Sequence, residues 1–461
     1  MEWKNKRLLV AGMGKSGRSV MEAALALGAR AALYDQKNED MIDSQLRELA
    51  RQKGMDCYFG ILPPEEEEFD ALVVSPGIPM TQEIVLYAKR KNIPVLGELE
   101  LAWELSRGRW IAITGTNGKT TTTSLVGEIL RQAGKDVRVV GNIGTAAISQ
   151  VLSSDESTWF AAEVSSFQLE TIRQFHPAVS AVLNITADHL NRHGSMEGYI
   201  NAKARIFENQ GPDDFFVVNR DCPEAFALAK QTGARVFPFS VKESLEEGCF
   251  VQKGHILARR EGKEEILGSC GDLQIPGVHN LENALAAAAM CWCAGIGAQA
   301  IQEGLKSFQG VEHRIEYVDT IDGVSYYNDS KGTNTDAASK AIDAMRQSII
   351  LIAGGYDKGE SFESWIRSFQ GRVKHMMLLG QTAPLIAQAA RNESFFAFTQ
   401  LPDLASCVRE ASQMARPGDV VLLSPACASW GMYENYEQRG REFKALVKEI
   451  RRRKDGTEEI R

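Results

Sequence analysis

Gly115-Thr-Asn-Gly-Lys-Thr-Thr-Thr-Thr123 lies between a short apolar run, Trp110–Thr114, and a helical pattern over Ser124–Ala133. A glycine loop that closes on Lys-Thr at a helix start suits a polyphosphate. Backbone N–H groups face the phosphate oxygens there, and the helix dipole favours negative charge. Lys119 is placed to reach the terminal phosphates, and the Thr120 hydroxyl to bind Mg²⁺. The commoner spacing, G-x-x-x-x-G-K-[ST], needs glycine at position 113. This chain has Ile113 there and uses Gly115, so its loop is two residues tighter.

Working outward, strand and helix signals alternate on both sides of the loop. Before it, Arg7–Ala11, Ala31–Asp35, Ala71–Ser75 and Ile93–Leu96 read as strands, and Gly17–Leu27 and Gln82–Lys91 as helices. Alternation of this kind predicts a parallel sheet. Gly97–Arg109 has helical spacing and reads as a connection into the second unit. Beyond the loop, Phe160–Val164, Ala178–Asn184 and Phe215–Asn219 read as strands, Phe250–Ala258 and its neighbours as antiparallel, and Asn280–Gly295 as a helix. After Gly310 the pattern restarts with strands Val324–Asn328, Ser348–Gly354, His375–Leu379 and Asp419–Leu423. The expected fold is therefore three α/β domains. Residues 1–98 form a Rossmann-like parallel sheet. Residues 99–310 form a P-loop-type domain with an appended small antiparallel sheet. Residues 311–461 form a second Rossmann-like domain. The charged tail from Lys454 is expected to be disordered.

The net charge of −8, with Lys and Arg spread along the chain, argues against a nucleic-acid or acidic-membrane partner. The longest apolar run, Ala284–Ala294, falls short of the roughly 20 residues that span a bilayer. The N-terminus lacks a signal-peptide pattern. The eight cysteines are scattered, and Cys291 and Cys293 do not share a helix face. Core thiols in a reducing cytoplasm are expected.

Gly12-Met-Gly-Lys-Ser-Gly17 fits G-x-G-x-x-G after a strand, and Asp35 ends the next strand at the distance where an acid can bind a ribose hydroxyl. The physics recognises a pyrophosphate, so a dinucleotide and a nucleotide-diphosphate substrate both fit. Ser75-Pro-Gly77 lies at the same sheet edge. Glu163, ending an apolar strand, is either a Mg²⁺ carboxylate or a solvent-facing strand end. His189, in Thr186-Ala-Asp-His189, is a second candidate metal ligand or a capping histidine. Lys203 shares a helix face with Tyr199 and Phe207. A lysine on such a face is expected to snorkel to solvent; a carbamate formed with CO₂ would instead make it an oxygen ligand for Mg²⁺. Asn280 and Asn283 suit either adenine recognition or helix capping. Asn328-Asp-Ser-Lys-Gly-Thr-Asn334, Gly354-Gly-Tyr-Asp-Lys358 and Ser424-Pro-Ala-Cys-Ala-Ser429 follow strands of the third unit and suggest one binding edge.

These residues together resemble the Mur ligases of bacterial cell-wall synthesis along nearly the whole chain. The tight Gly-Thr-Asn-Gly-Lys-Thr loop, Glu163-Val-Ser-Ser-Phe-Gln-Leu169, Asp188-His189, the Tyr199–Phe207 helix and His279-Asn-x-x-Asn283 carry the resemblance. Asp329-Ser-Lys-Gly-Thr-Asn334 and Glu437-Gln-Arg-Gly440 are similar to the branch that adds D-glutamate to UDP-N-acetylmuramoyl-L-alanine. The resemblance implies an ATP-dependent amide ligase working through an acyl phosphate. It implies Mg²⁺, two ions, held by Thr120, Glu163, His189 and a carbamylated Lys203, with Lys119, His189 and Lys203 catalytic. ATP would lie on Gly115, Thr116, Asn117, Gly118, Lys119, Thr120, Thr121, Asn283, Arg314 and Asp329. The nucleotide-sugar substrate would use Gly14, Lys15, Ser16, Gly17, Asp35, Ser75, Pro76, Gly77, Asn142 and Ser165. D-Glutamate would use Lys331, Thr333, Lys358, Ser424 and the neighbourhood of Tyr433, where the family often has phenylalanine. The third unit closing on the second would exclude water from the acyl phosphate. A cytoplasmic monomer is expected. Other Mur enzymes and folylpolyglutamate synthases share the middle domain and supply the alternative reactions.

Overall fold

The computed structural model describes residues 3–142, 145–357, 359 and 361–454. The chain forms two compact units. One comprises the chain up to Leu273 together with Glu282–Phe308; the other comprises Gln274–Leu281 and the chain from Gln309 onward.

The first unit holds two sheets. Strands β1 (Arg7–Ala11), β2 (Arg30–Asp35), β3 (Cys57–Phe59), β4 (Ala71–Val74) and β5 (Val95–Gly97) pair in the order β3-β2-β1-β4-β5, all parallel. Leu8–Ala11 and Ala71–Val74 are buried throughout, as parallel strands covered on both faces must be. Strand order reverses between β1 and β4. Loops leaving such a switch point diverge and open a ligand crevice. Gly12–Gly17 follows β1 and Ser75–Gly77 follows β4, so both expected nucleotide-sugar loops leave this point.

The second sheet has nine strands: β6 (Arg109–Thr114), β7 (Asp136–Gly141), β8 (Thr158–Glu163), β9 (Val179–Val182), β10 (Phe215–Asn219), β11 (Arg235–Ser240), β12 (Gly248–Gln252), β13 (His255–Arg260) and β14 (Lys263–Ser269). Their order is β14-β13-β12-β11-β10-β9-β6-β8-β7. The expected antiparallel strands are β12 to β14, and they join the main sheet through β12, which pairs in parallel with β11. The phosphate loop leaves β6, flanked by β8 and β9. The helix after it spans Lys119–Gln132, starting five residues before the expected Ser124. Four successive threonines are poor helix formers by propensity, but Thr120–Thr123 are buried in the first turn and packing overrides propensity.

The crossing between the two sheets is the helix Glu98–Leu105. Two of its side chains are buried carboxylates. Glu98 Oε1 accepts the Ile148 N–H at 2.7 Å. Glu100 accepts the N–H groups of Arg173 (2.8 Å), Gln174 (2.7 Å) and Phe175 (3.1 Å). Burial pushes the Glu98 carboxyl up to about 7, against the pull of its backbone donors.

The second unit is built on β15 (Glu316–Ile321), β16 (Val324–Asn328), β17 (Ile349–Gly354), β18 (Val373–Leu379), β19 (Phe398–Gln400) and β20 (Val420–Leu423), in the order β15-β16-β20-β17-β18-β19. Only the β15–β16 hairpin is antiparallel. The last helix, Tyr436–Lys454, packs Phe443 and Val447 into this core. The expected disordered tail beyond Lys454 lies outside the described residues. The apolar segment Ala284–Cys291 is wholly buried in the helix Val278–Cys293. Among the described residues no helix is long and apolar enough to cross a membrane, and all eight cysteines are unpaired.

Candidate active site

The phosphate loop is held open by its own backbone and its neighbours. Gly115 has φ 155° and Gly118 has φ 84°, a left-handed conformation that L side chains avoid. A Cβ on Gly118 would collide with Asn283 Oδ1. Thr122 Oγ1 also donates to that oxygen, at 3.3 Å, so Asn283 lies against the loop. Asn117 exchanges two bonds with Asn184: its N–H reaches Asn184 Oδ1 at 2.9 Å, and Asn184 Nδ2 reaches its carbonyl at 3.0 Å. Thr116 Oγ1 donates to the Thr186 carbonyl at 3.1 Å and lies 3.2 Å from the Tyr199 hydroxyl. Lys119 Nζ curls over the loop to the carbonyls of Gly115 (2.8 Å) and Thr116 (2.7 Å). Thr121 is buried in the first helical turn.

Glu163 sits where β8 ends, 2% exposed. Thr120 Oγ1 donates to its Oε2 at 2.7 Å, and Asn142 Nδ2 to its Oε1 at 2.9 Å. One carboxylate thus joins the phosphate loop to the residue expected on the muramoyl substrate. It does not face solvent. A hydroxyl and a carboxylate are hard oxygen donors of the kind Mg²⁺ prefers, so this pair fits the ion. Ser165 forms a capping box with Gln168 at the helix Ser166–Leu169.

Lys203 departs from the snorkelling expectation. It is 1% exposed, and its Nζ donates to the Gly115 carbonyl at 2.8 Å and lies 4.5 Å from the Tyr199 ring centroid. The helical face that carries Lys203 is turned into the core at the phosphate loop, so no path to solvent exists along it. Burial, with Lys119 adding to it, holds the Lys203 ammonium well below the usual lysine range; Asp188 and Glu163 oppose this. His189 takes a left-handed conformation at φ 52° ahead of the short helix Leu190–His193, and its ring lies 4.9 Å from that of Phe167. Its Nε2 is 3.5 Å from Asp188 Oδ2. Among the described residues no three His, Cys, Asp or Glu side chains form a metal cage.

The two loops expected on the nucleotide sugar meet at the first sheet's edge. Ser75 Oγ donates to the Gly12 carbonyl at 2.9 Å. Asp35 accepts the Met13 N–H at 2.8 Å and the Lys37 N–H at 3.0 Å, so it closes the glycine loop it was expected to accompany. A Cβ on Gly17 would strike the Gly12 carbonyl; glycine there lets helix Lys15–Ala26, capped by Gly14, start tight against β1. Lys15 and Ser16 open that helix.

Sequence reasoning missed Arg192. Its guanidinium donates to the carbonyls of Gly77 (3.3 Å), Pro76 (3.4 Å) and Ile78 (2.9 Å), and pairs with Glu170 at 2.7 Å. It lies 4.6 Å from the Phe167 ring centroid. It stands three residues after His189, the only signal in the sequence. Asn184 and Thr186 were missed as loop partners although Asn184 ends the apolar run Ala178–Asn184 and Thr186 lies two residues beyond it.

In the second unit, Asp329 is 2% exposed. It accepts Ser424 Oγ at 2.7 Å and the Ile315 N–H at 3.2 Å. Burial pushes its carboxyl up to about 6, opposed by the charge of Arg314 and the Ser424 bond. Arg314 Nε is buried with no hydrogen-bond partner among the described residues. Lys331 lies 5.4 Å from the Tyr436 ring centroid, and Thr333 N–H bonds the Lys331 carbonyl at 2.8 Å. Asp329, Lys331, Thr333 and Ser424 therefore belong to two neighbouring loops at the ends of β16 and β20. Tyr433 packs on the core beneath, where burial and Glu442 raise its hydroxyl pKa. Asn280 Nδ2 donates to the Pro276 carbonyl at 2.7 Å, a local structural role. Lys358 lies outside the described residues.

Known proteins match this arrangement in the same order. The model of the Mur ligase MurD-like N-terminal domain matches residues 6–97. That of the Mur ligase middle domain matches 113–291, and that of the Mur ligase glutamate ligase domain matches 313–427. A UDP-N-acetylmuramoylalanine–D-glutamate ligase of Thermoanaerobacter sp. (strain X514) is 47% identical over 459 residues, covering 98% of this chain and 100% of the relative. The enzyme of that name from Alkaliphilus oremlandii is 46% identical over 455 residues, covering 98% and 100%. Among solved structures, UDP-N-acetylmuramate-alanine ligase from Thermotoga maritima aligns with TM-score 0.60 at 17% identity, over 96% of this chain and 99% of that one. The MurF ligase of the same organism, in complex with ADP, aligns with TM-score 0.59 at 16% identity, over 97% and 96%. The distant structures share the fold; the end-to-end relatives and the three matched domains place this chain in the Mur ligase family.

Proposed function

We propose that this chain joins D-glutamate to UDP-N-acetylmuramoyl-L-alanine at the expense of ATP, a step of peptidoglycan precursor synthesis. The observation that carries the reading is Glu163, whose two oxygens hold Thr120 of the phosphate loop and Asn142. This supports a reading in which the nucleotide and the acceptor carboxylate meet beside Glu163. The relatives' shared name supplies the amino acid and the sugar nucleotide.

The γ-phosphoryl group passes to the alanyl carboxylate, releasing ADP. The amine of D-glutamate attacks the acyl carbon and loses a proton, and the tetrahedral intermediate expels phosphate to leave the amide. Lys119 neutralises the transferring phosphoryl group. Thr120 and Glu163 would hold Mg²⁺, which supplies charge neutralisation when bound. His189 and a carbamylated Lys203 would hold a second ion. The burial that lowers the Lys203 pKa supports this, because only the neutral amine adds to CO₂. Asn283, Arg314 and Asp329 take ATP, with Thr116, Asn117 and Thr121. Lys331, Thr333, Lys358, Ser424 and the Tyr433 region take D-glutamate. Two lysines suit a dicarboxylic amino acid. Gly14–Gly17, Asp35, Ser75–Gly77 and Ser165 serve the sugar nucleotide. The working domains are residues 1–98, 99–310 and 311–461, and the enzyme acts as a cytoplasmic monomer, in line with its eight unpaired cysteines.

The test is ATP-driven phosphate release with UDP-N-acetylmuramoyl-L-alanine and D-glutamate, L-glutamate, L-lysine or meso-diaminopimelate in turn. Turnover is expected with D-glutamate; dependence on another amino acid overturns the reading.

A further inference from the structure

Glu437-Gln-Arg-Gly440 opens the helix Tyr436–Lys454 and has no part in the chemistry above. Yet Arg439 is 1% exposed, among the largest wholly buried side chains of the chain. All four hydrogen bonds of its guanidinium go to uncharged oxygens. Nε donates to Ser330 Oγ at 3.0 Å and Nη2 to the Ser330 carbonyl at 2.7 Å. Nη1 and Nη2 share the Cys427 carbonyl at 3.2 and 3.3 Å. Burial brings its pKa down to about 10, leaving it charged at neutral pH. A buried cation whose hydrogen bonds all go to neutral oxygens is costly, even with the charge of Asp329 close enough to support it. An apolar residue would fill the volume more cheaply, so the fork supplies something packing alone does not.

What it supplies is the spacing of two loops. Ser330 stands between Asp329 and Lys331, and Cys427 lies three residues after Ser424. On one side the loops are tied by Ser424 Oγ on Asp329 Oδ2 at 2.7 Å; on the other, by Arg439. The same helix start backs the third element. Tyr436 O accepts Ser330 Oγ at 2.8 Å, and a Cβ on Gly440 would strike the ring of His313. The His313 carbonyl in turn accepts the Lys331 N–H at 3.0 Å.

We propose that Arg439 is a positioning residue for the acidic-amino-acid pocket, fixing Lys331 and Thr333 relative to Ser424 without touching the substrate. This rests on the D-glutamate reading of those residues. A planar guanidinium sets three oxygens in one geometry; an ammonium of the same charge does not. The inference therefore predicts that charge alone fails to rescue the site.

Steady-state kinetics on the full chain test this, comparing wild type, Arg439→Lys and Ser330→Ala. For Arg439→Lys we expect the KM for D-glutamate to rise about tenfold or more, with kcat at saturating D-glutamate and the KM for UDP-N-acetylmuramoyl-L-alanine changed less than about threefold. A purely structural role would lower the active fraction, reducing kcat with an unchanged D-glutamate KM, and that result overturns the inference. If Arg439→Lys does not fold, Ser330→Ala decides. It removes one acceptor and keeps the carbonyl, and is expected to raise the D-glutamate KM about threefold; an unchanged KM overturns the inference. A wild type that turns over without D-glutamate dependence overturns the parent reading and this one with it.

Discussion

Thr120 Oγ1 donates its proton to Glu163 Oε2 across 2.7 Å, bridging the first turn of the phosphate-loop helix and the end of the adjacent strand. Glu163→Gln keeps the shape but turns one acceptor into a donor, facing either Thr120 or Asn142. Phosphate release should fall by about a hundredfold or more, since a Mg²⁺ ion held by Glu163 would supply several kcal/mol of charge stabilisation. Turnover measured against Mg²⁺ concentration checks this; near-normal rates at ordinary Mg²⁺ would remove Glu163 from the metal site.

Gly118→Ala should weaken ATP binding more than tenfold. The left-handed backbone costs a side chain about 1–2 kcal/mol, and the new Cβ also displaces Asn283. Titration calorimetry with ATP measures it. Adding Asn283→Ala relieves the collision but restores neither the backbone conformation nor the proposed Asn283 contact to ATP, so the double variant should stay weaker than wild type.

Lys203→Ala should be nearly inactive yet regain part of its activity with short carboxylic acids, which place an anion where the carbamate would stand. The amine that would carry the carbamate is buried beside the Gly115 carbonyl, with Asp188 and Glu163 the carboxylates that act on it. Assays across an acetate and formate series decide; if no acid restores turnover, the carbamate assignment loses its support.

Arg192→Ala releases the carbonyls of residues 76–78. The KM for the sugar nucleotide should rise about tenfold, while the KM for D-glutamate stays the same. Equal effects on both substrates would count against a local role.

Glu98→Gln should flatten the pH dependence of stability. The folded carboxyl is raised from 4.5 to about 7, so the native state binds more protons than the unfolded chain between those values. Its contribution is fully present below pH 4.5 and is lost as pH rises to about 7, on the order of 3 kcal/mol. Denaturant melts of both proteins from pH 4.5 to 7.5 would show it; parallel curves would rule it out.

The legibility of the chain follows the locality of its interactions. The phosphate loop could be read because its geometry depends on glycines and a lysine within nine residues. The β1 and β4 loops could be read because apolar runs mark where parallel strands end. Lys203 was misjudged because helical periodicity says which face a residue shares and not what covers that face. Glu98 and Glu100 left no readable trace, Arg192 only its place three residues after His189, and Arg439 only its place in Glu437-Gln-Arg-Gly440. Most of their partners are backbone carbonyls and N–H groups elsewhere in the chain, and such partners have no side-chain signature. Strands β3, β7, β15 and β19 were overlooked for a related reason: each lies at a sheet edge, and short or polar edge segments become strands only when a neighbour pairs with them.

Glu98 and Glu100 stand two residues apart on one helix, so they project about 200° from each other. Each is fastened to chain that follows much later, at Ile148 and at Arg173–Phe175. The crossing between the first two sheets is thus a splice and not a joint. Inserting a single residue would rotate everything beyond it by about 100° and unseat one anchor or the other. The length of this helix is therefore as much a part of the enzyme's specification as any residue that meets the nucleotide.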